Sequence, residues 1–239
     1  MISSNIKPFK ALLIREYWEH KGAMFYTPAF IAAFFAFILL LASFAGESIL
    51  VEMGSDASFS AELPKAVEMF ENLEDTKRNQ SVQIGLYAPM TIFGFVMLIV
   101  SFFYALGSLY DERKDRSILF WKSLPISDIS SVLSKFVTLC ISIPILYFIV
   151  ISIFQLFVLI LGTIVAWFGG SFGITLWTSS NLFLVMINTL LSLVVASLWL
   201  APVWAWLMLA SAWAKKSTFL WGVLPIFLLS FAEAWLFSQ

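Results

Sequence analysis

Long runs without a charged side chain divide this sequence into a few apolar segments. Residues 24–45 and 84–109 contain no Asp, Glu, Lys or Arg, and residues 136–214 contain none either. Each of the first two runs is long enough to cross a hydrocarbon core of about 30 Å as a helix that rises about 1.5 Å per residue. Each of these two runs therefore predicts one membrane-spanning helix.

The third and longest run predicts two spans separated by a turn. Polar and glycine-rich residues between 168 and 182 interrupt it, which leaves segments 136–168 and 182–214. Both segments are longer than one perpendicular crossing needs, so we expect each to tilt, kink or project beyond the bilayer. Pro144 and Pro202 are the expected kinks, because proline removes a hydrogen bond from the helix ladder.

Residues 219–236 predict a fifth, shorter span, which completes an all-α polytopic membrane bundle in one domain, 1–239. The spans are interpreted as helices because backbone polar groups cannot be left unpaired in lipid, and because the runs lack the alternation of a transmembrane barrel. The composition agrees: 61% of the residues are hydrophobic and 12% are charged, too few to cover a soluble globule. The single cysteine, Cys140, excludes an intrachain disulfide framework.

Basic residues are concentrated in three of the connections. All but three of the 14 Lys and Arg residues lie there, namely Lys7, Lys10, Arg15, Lys21, Arg113, Lys114, Arg116, Lys122, Lys135, Lys215 and Lys216. The remaining three share the loop 46–83 with a larger number of acidic residues. Because cytoplasmic loops carry the excess of Lys and Arg, this distribution places the lead-in 1–23 and the loop 110–135 in the cytoplasm and 46–83 outside. We expect an integral protein of a bacterial inner membrane.

The same distribution bears on the path of residues 182–214. A helical hairpin folded at Pro202 would move Lys215 and Lys216 to the outer side, against the charge bias. The charge count therefore favours a single kinked span over the hairpin.

The lead-in 1–23 has the residue spacing of an amphipathic helix. One arc of the helical wheel carries the apolar side chains Phe9, Leu13, Ile14 and Tyr17. Another arc carries the charged side chains Arg15, Glu16 and Glu19. This pattern predicts a helix in the cytoplasmic interface that includes Arg15, Glu16, Tyr17 and Trp18, the alternative being a solvated lead-in. In the outer loop, apolar residues repeat at helical spacing between Leu63 and Leu73, which predicts a second amphipathic helix with Pro64 in its first turn.

Inside the spans the sequence offers little chemistry. The one ionisable residue in a span window is Glu233, near the interface, and the sole histidine, His20, is expected at the surface of the lead-in. Gln155 and Asn188 are expected to hydrogen-bond across helices. A stripe of small residues, expected to allow close helix packing, consists of Ser197, Ala201 and Ala205.

The sequence therefore predicts no catalytic residue, no metal site and no cofactor bound by this chain. No glycine is followed by lysine, so the phosphate-binding loop of an ATPase is also lacking. If the protein performs work, the energy must enter through a partner.

The segment YDERKDRSILFWKSLP at 110–125 is the best-equipped surface for such a partner. An aromatic centre with a charged rim is typical of a docking interface, although the same residues would also suit a segment in the headgroups, with Arg113, Arg116 and Lys122 on lipid phosphates. Pro125 is expected to stop this short helix, and Ser127 to cap a new one whose apolar face leads into the third span.

The runs LYDERKDRSILFWKSLPISDISSVLSKFV at 109–137 and REYWEHKG at 15–22 resemble the permease subunits of ABC-2 type exporters. The matching features are the acidic-basic pair Glu112 and Arg113 after the second span, the Leu-Pro-x-Ser turn at 124–127, and Lys135 at the entry to the third span. Members of that family often have a glycine near Asp115 and usually have six spans. With five spans predicted here, the chain is expected to be a fragment, a truncated reading frame or a genuine short variant.

The resemblance implies a coupling helix, from Arg116 to Pro125, that seats in a groove of a separate ATP-binding subunit. The implied contact residues are Arg113, Arg116, Ile118, Leu119, Phe120, Trp121, Leu124 and Pro125. It also implies a second permease, identical or different, with ATP and Mg held by the ATPase subunits and an outward direction of transport. Membrane lipid is a further expected partner and nucleic acid is not. The competing hypotheses are a non-transport membrane scaffold whose basic loop binds lipid or another partner, and, more remotely, an intramembrane enzyme.

Overall fold

A computed structural model describes residues 3–52, 59–118 and 127–237, and helices account for most of them. In chain order the helices are α1 (Ser3–Lys21), α2 (Thr27–Glu52), α3 (Phe59–Glu71), α4 (Asp75–Gly107), α5 (Tyr110–Lys114), α6 (Asp128–Val137), α7 (Ile143–Phe168), α8 (Ile174–Ser180), α9 (Leu182–Trp199), α10 (Ala201–Trp213) and α11 (Thr218–Phe237). Two π-helical turns, Gly22–Tyr26 and Thr138–Ser142, join α1 to α2 and α6 to α7. Within the described ranges there is no strand, so the predicted all-α class is confirmed.

Five helical stretches in the described residues are long and apolar enough to cross a membrane. They are Pro8–Ser43, Asp75–Lys114, Asp128–Phe168, Leu182–Trp199 and Thr218–Trp235. Each overlaps one predicted span, which confirms the count of five and supports an integral membrane protein. Three of the stretches exceed 35 residues, so their ends project beyond a hydrocarbon core of about 30 Å.

The chain forms two compact units. The first contains Met1–Met24, Val96–Ile145 and Val194–Gln239, and the second contains Phe25–Phe95 and Leu146–Leu193. Glu16, Glu112 and Lys135 all lie in the first unit.

The second unit is held together by apolar packing and by hydrogen bonds between its helices. Gln155 is fully buried, and its Nε2 donates to the Leu86 carbonyl oxygen at 3.1 Å and to Thr189 Oγ1 at 3.3 Å. Asn188 Nδ2 donates to Tyr87 Oη at 3.1 Å. These bonds link helices α4, α7 and α9, and they confirm the roles predicted for Gln155 and Asn188.

The helical stretch between residues 182 and 213 is interrupted next to Pro202. Leu200, with ψ near 1°, is the single residue between α9 and α10. It donates its N–H to the Ala196 carbonyl and accepts from the Trp204 N–H, so the helical hydrogen bonding continues on both sides. A helical hairpin needs a loop of about 2–5 residues. One residue is too few, so the kinked path is favoured over the hairpin.

Two predictions of helix boundaries have different outcomes. Ser127 caps α6 as expected, accepting a hydrogen bond from the Ser130 N–H at 3.2 Å. The helix predicted in the outer loop is also present, as α3, but Pro64 lies inside it and not in its first turn. The apolar repeat from Leu63 onward could not reveal that the helix begins before the repeat does.

Candidate functional site: a buried ion-pair network between helices α1, α5 and α6

Helix α1 contributes a buried carboxylate to the first unit. Leu12 and Glu16 lie one helical turn apart on its buried face, and only 1% of the Glu16 surface is exposed. The sequence pattern predicts Glu16 on the charged arc of an interfacial helix, whereas in the structure this side chain is buried. Tyr104 and Lys135 pack against Glu16 and hydrogen-bond to its carboxylate. Both partners are distant in the sequence, so the residue spacing within α1 could not reveal this burial.

Each oxygen atom of Glu16 has its own donor. Lys135, from the last turn of α6, places its Nζ 2.8 Å from Glu16 Oε1, and Tyr104 Oη donates to Glu16 Oε2 at 2.7 Å. The Lys135 side chain is as inaccessible as the carboxylate. An ammonium and a carboxylate buried together stabilise each other's charged forms, whereas either one alone would be strongly unfavourable.

Glu112 extends the network to the end of the second span. Its Oε1 lies 3.1 Å from Lys135 Nζ and also accepts from the Arg15 guanidinium. Arg15 donates in addition to the largely exposed Glu19, at 3.3 Å. Two buried carboxylates are thus matched by two cations, which leaves Glu19 as the outer, solvated member.

Glu16, Glu19 and Glu112 place one carboxylate oxygen each within 4.8 Å of the others. Such a cluster resembles a set of metal ligands, but Lys135 pairs with Glu16 and Glu112, and Arg15 pairs with Glu112 and Glu19. The arrangement is that of an ion-pair network.

His20 borders the same network. Its ring stands edge-on to the Tyr104 ring, with centroids 4.9 Å apart, and the residue is half-buried. Backbone torsions at His20 are non-helical, which kinks α1 at this point. The expected surface histidine is thus packed against the residue that donates to Glu16.

Helices α5 and α10 cap each other. Ser211 Oγ, fully buried in α10, accepts from the N–H groups of Leu109 and Tyr110 at 3.1 and 3.0 Å, at the start of α5. In return, Arg113 Nη2 donates to the carbonyl oxygens of Ser211 and Ala214 at 2.6 and 2.9 Å, at the end of α10. Helix starts carry unpaired N–H groups and helix ends unpaired carbonyls, so this exchange satisfies both.

The remaining residues of the predicted coupling segment have separate outcomes. Arg116 is exposed and Ile118 is half-buried. Arg116 also has a φ of 58°, in the left-handed region that glycine adopts most easily. Leu119, Phe120, Trp121, Leu124 and Pro125 lie outside the described residues.

Tyr17 and Trp18, the other side chains predicted for the interfacial helix α1, lie at the protein surface. Trp18 is 61% exposed, with Lys21 Nζ 5.3 Å from its ring centroid, and Tyr17 is half-buried against its edge. Exposed aromatic and basic side chains together are typical of a helix at a membrane interface.

Only part of the predicted small-residue stripe is buried in helix packing. Ser197 is buried and donates to the Leu139 carbonyl oxygen at 2.9 Å. Ala201 is half-buried, and Ala205 is exposed on the surface of the first unit.

Comparisons with protein-family models, with curated proteins and with solved structures give no match to this chain. The geometry of the network therefore carries the functional argument together with the resemblance of the sequence.

Proposed function

We propose that this chain is the permease subunit of an ABC transporter, moving a substrate outward with energy from ATP hydrolysed on a separate subunit. The supporting observation is that both sequence stretches that carry the resemblance contribute side chains to one network. Arg15 and Glu16 come from the first stretch that carries the family resemblance, Glu112 from the start of the second, and Lys135 from its end. Residues that match a family pattern at distant positions support membership of that family more strongly when they also contact one another.

The network also gives the loop a mechanical role. On one side, α5 is joined to α10 through Arg113 and to α1 through Glu112. On the other side, Lys135 joins α6 to α1. A partner that displaced the segment between α5 and α6 would therefore move the helices attached at both of its ends. Such stiff attachment is what an external ATPase needs in order to transmit its closure to a permease.

The test targets Phe120 and Trp121, the predicted centre of the docking surface. If they are interface hot spots, Phe120→Ala with Trp121→Ala removes about 2 kcal/mol or more of binding energy, roughly a 30-fold loss of affinity. We expect an ATP-binding subunit that copurifies with this chain to dissociate from the detergent-purified permease. The matched control is Trp167→Ala with Phe168→Ala, an exposed aromatic pair at the predicted outer end, which is expected to leave the complex intact.

The scaffold alternative predicts the opposite ranking. It requires that Lys114→Gln with Arg116→Gln, which removes two exposed charges, weaken binding to anionic vesicles and abolish function while the aromatic pair is dispensable. A complex that remains bound and coupled without Phe120 and Trp121 would contradict the permease proposal. Arg113 is unsuitable for this comparison because its loss would also uncap α10.

A further inference from the structure

Two adjoining cavities lie beneath α3 in the second unit, with volumes of about 280 and 250 Å³. Phe70, Gly162 and Leu176 line both of them, and the remaining lining residues come from α3, α4, α7, α8 and the turn before α8. Taken together, the two cavities are in the size range of sites that hold a small ligand.

Helix α3 is held over these cavities at its C-terminal end. Ser171 Oγ donates to Glu71 Oε1, and Arg78 Nη1 donates to the Glu71 carbonyl oxygen at 3.1 Å. Gly169 lies so close to α3 that a Cβ at this position would be 2.6 Å from Val67 Cγ2. These contacts fix α3 against the turn that follows α7, so the cavities are part of the folded unit.

The absence of side chains at two glycines leaves the space open. Gly85 of α4 and Gly162 of α7 both line the second cavity. A Cβ added to Gly85 would meet no atom of a neighbouring element within 4 Å. Leu86 and Leu159, which belong to the buried core of this unit, also line the cavity. An apolar ligand would therefore contact apolar side chains that are already packed.

Glu71 is the one charged residue among the described residues that line the two cavities. The Ser171 hydroxyl that donates to it is neutral and does not offset its charge. The nearby Arg78 guanidinium forms an ion pair with the Asp75 carboxylate. A cationic group beside Glu71 would be attracted to its carboxylate, and an anionic group would be repelled.

We propose that the two cavities bind a small amphipathic cation, with its ammonium group beside Glu71 and its apolar chain beneath α3. The carboxylate at one end of an otherwise largely apolar lining matches such a molecule in both of its parts. The inference concerns only the second unit and goes beyond the proposed function, since it holds for a permease or a scaffold.

The experiment measures binding of radiolabelled decylamine to the full chain in phosphatidylcholine nanodiscs, with empty nanodiscs as the background. Decylamine is cationic at neutral pH, and decanol is the neutral ligand with the same chain. Glu71→Gln keeps an acceptor for Ser171 but removes the charge. It is expected to weaken decylamine binding on the order of tenfold and to leave decanol binding unchanged. Glu68→Gln, an exposed position of α3 outside the lining, is the matched control.

A second pair of variants tests the cavity itself. Gly85→Leu fills the second cavity and is expected to weaken the binding of both ligands on the order of tenfold. Gly94→Leu is the matched control, because Gly94 is in the same helix, also has open space at its Cβ position and lines neither cavity. Thermal unfolding identifies any variant that fails to fold, and Ala66→Leu, which narrows the first cavity, then replaces Gly85→Leu.

Three results would overturn the proposal. In the first, wild type binds no more decylamine than empty nanodiscs do. In the second, Gly85→Leu and Ala66→Leu fold and bind decylamine as wild type does, so the ligand lies elsewhere. In the third, Glu71→Gln weakens decanol binding as much as decylamine binding, or Glu68→Gln matches its effect, so the Glu71 charge does not select the ligand.

Discussion

At the scale of single residues, the Glu16 carboxylate is tolerated inside the protein because both of its oxygen atoms have donors. Lys135 and Tyr104 satisfy one oxygen each, and both are buried with it. The pair adds little net stability compared with apolar residues of the same shape, because both charges have been removed from water. Its larger effect is on specificity, since a chain that misplaces either residue buries an unpaired charge.

Lys135→Met is therefore expected to destabilise the protein by about 3–5 kcal/mol, because it leaves Glu16 and Glu112 facing each other without the shared ammonium. Thermal unfolding in detergent measures the loss. Adding Glu16→Gln to Lys135→Met removes the stranded charge and is expected to recover part of it. Losses that simply add in the double variant would show that the two residues do not interact.

Arg116→Gly is expected to stabilise the protein by up to about 1 kcal/mol, because glycine adopts the observed φ of 58° without strain. The melting temperature in detergent should rise by about 2–4 °C. Lys114→Gly, two residues earlier and within α5, is the matched control, and it is expected to lower the melting temperature because glycine is a poor helix former. A lower melting temperature for Arg116→Gly would contradict this account of the turn.

At the scale of helices, α5 and α10 are joined by polar groups at their ends. Ser211 receives two N–H donors, and Arg113 returns two hydrogen bonds to carbonyls at the end of α10. A helix of five residues has little stability of its own, so α5 depends on this exchange.

Ser211→Ala is expected to destabilise the protein by about 1–3 kcal/mol, because two N–H groups at the start of α5 lose their shared acceptor. Ser43→Ala is the matched control. The Ser43 hydroxyl is exposed and bonds only within its own helix, so its loss is expected to change stability by less than about 0.5 kcal/mol. Equal melting temperatures for the two variants would argue against the capping role.

At the scale of the whole molecule, five long apolar helices agree with an integral membrane protein, and the sidedness of the loops stays a prediction from charge. A reporter that is active only in the cytoplasm tests it by fusion after chosen residues. Fusions after Lys122 and Lys216 are expected to be active, and one after Asp75 to be silent. Activity at Asp75 would reverse the orientation, and silence at Lys216 would restore the hairpin at 182–214.

The sequence predicted features that depend on nearby residues or on continuous composition. Charge-free runs predict four of the five long helices and the apolar segment 219–236 predicts the fifth. Ser127 is predictable as a cap because its partner is three residues away. The buried position of Glu16 was missed because helical spacing reports only on the helix itself. The sequence shows Lys135 at the end of the apolar face of α6, but no local pattern indicates which carboxylates pair with it.

The separation of Glu16 from Lys135 along the chain has a consequence for synthesis. The two residues are 119 positions apart. At about 5–20 residues per second, a ribosome needs roughly 6–24 s to make the intervening segment, which contains the first two spans. During that interval the Glu16 carboxylate lacks its Lys135 partner and has to stay hydrated, outside the lipid. Helix α1 can therefore adopt its final position only after the start of the third span, with Lys135, has been synthesised.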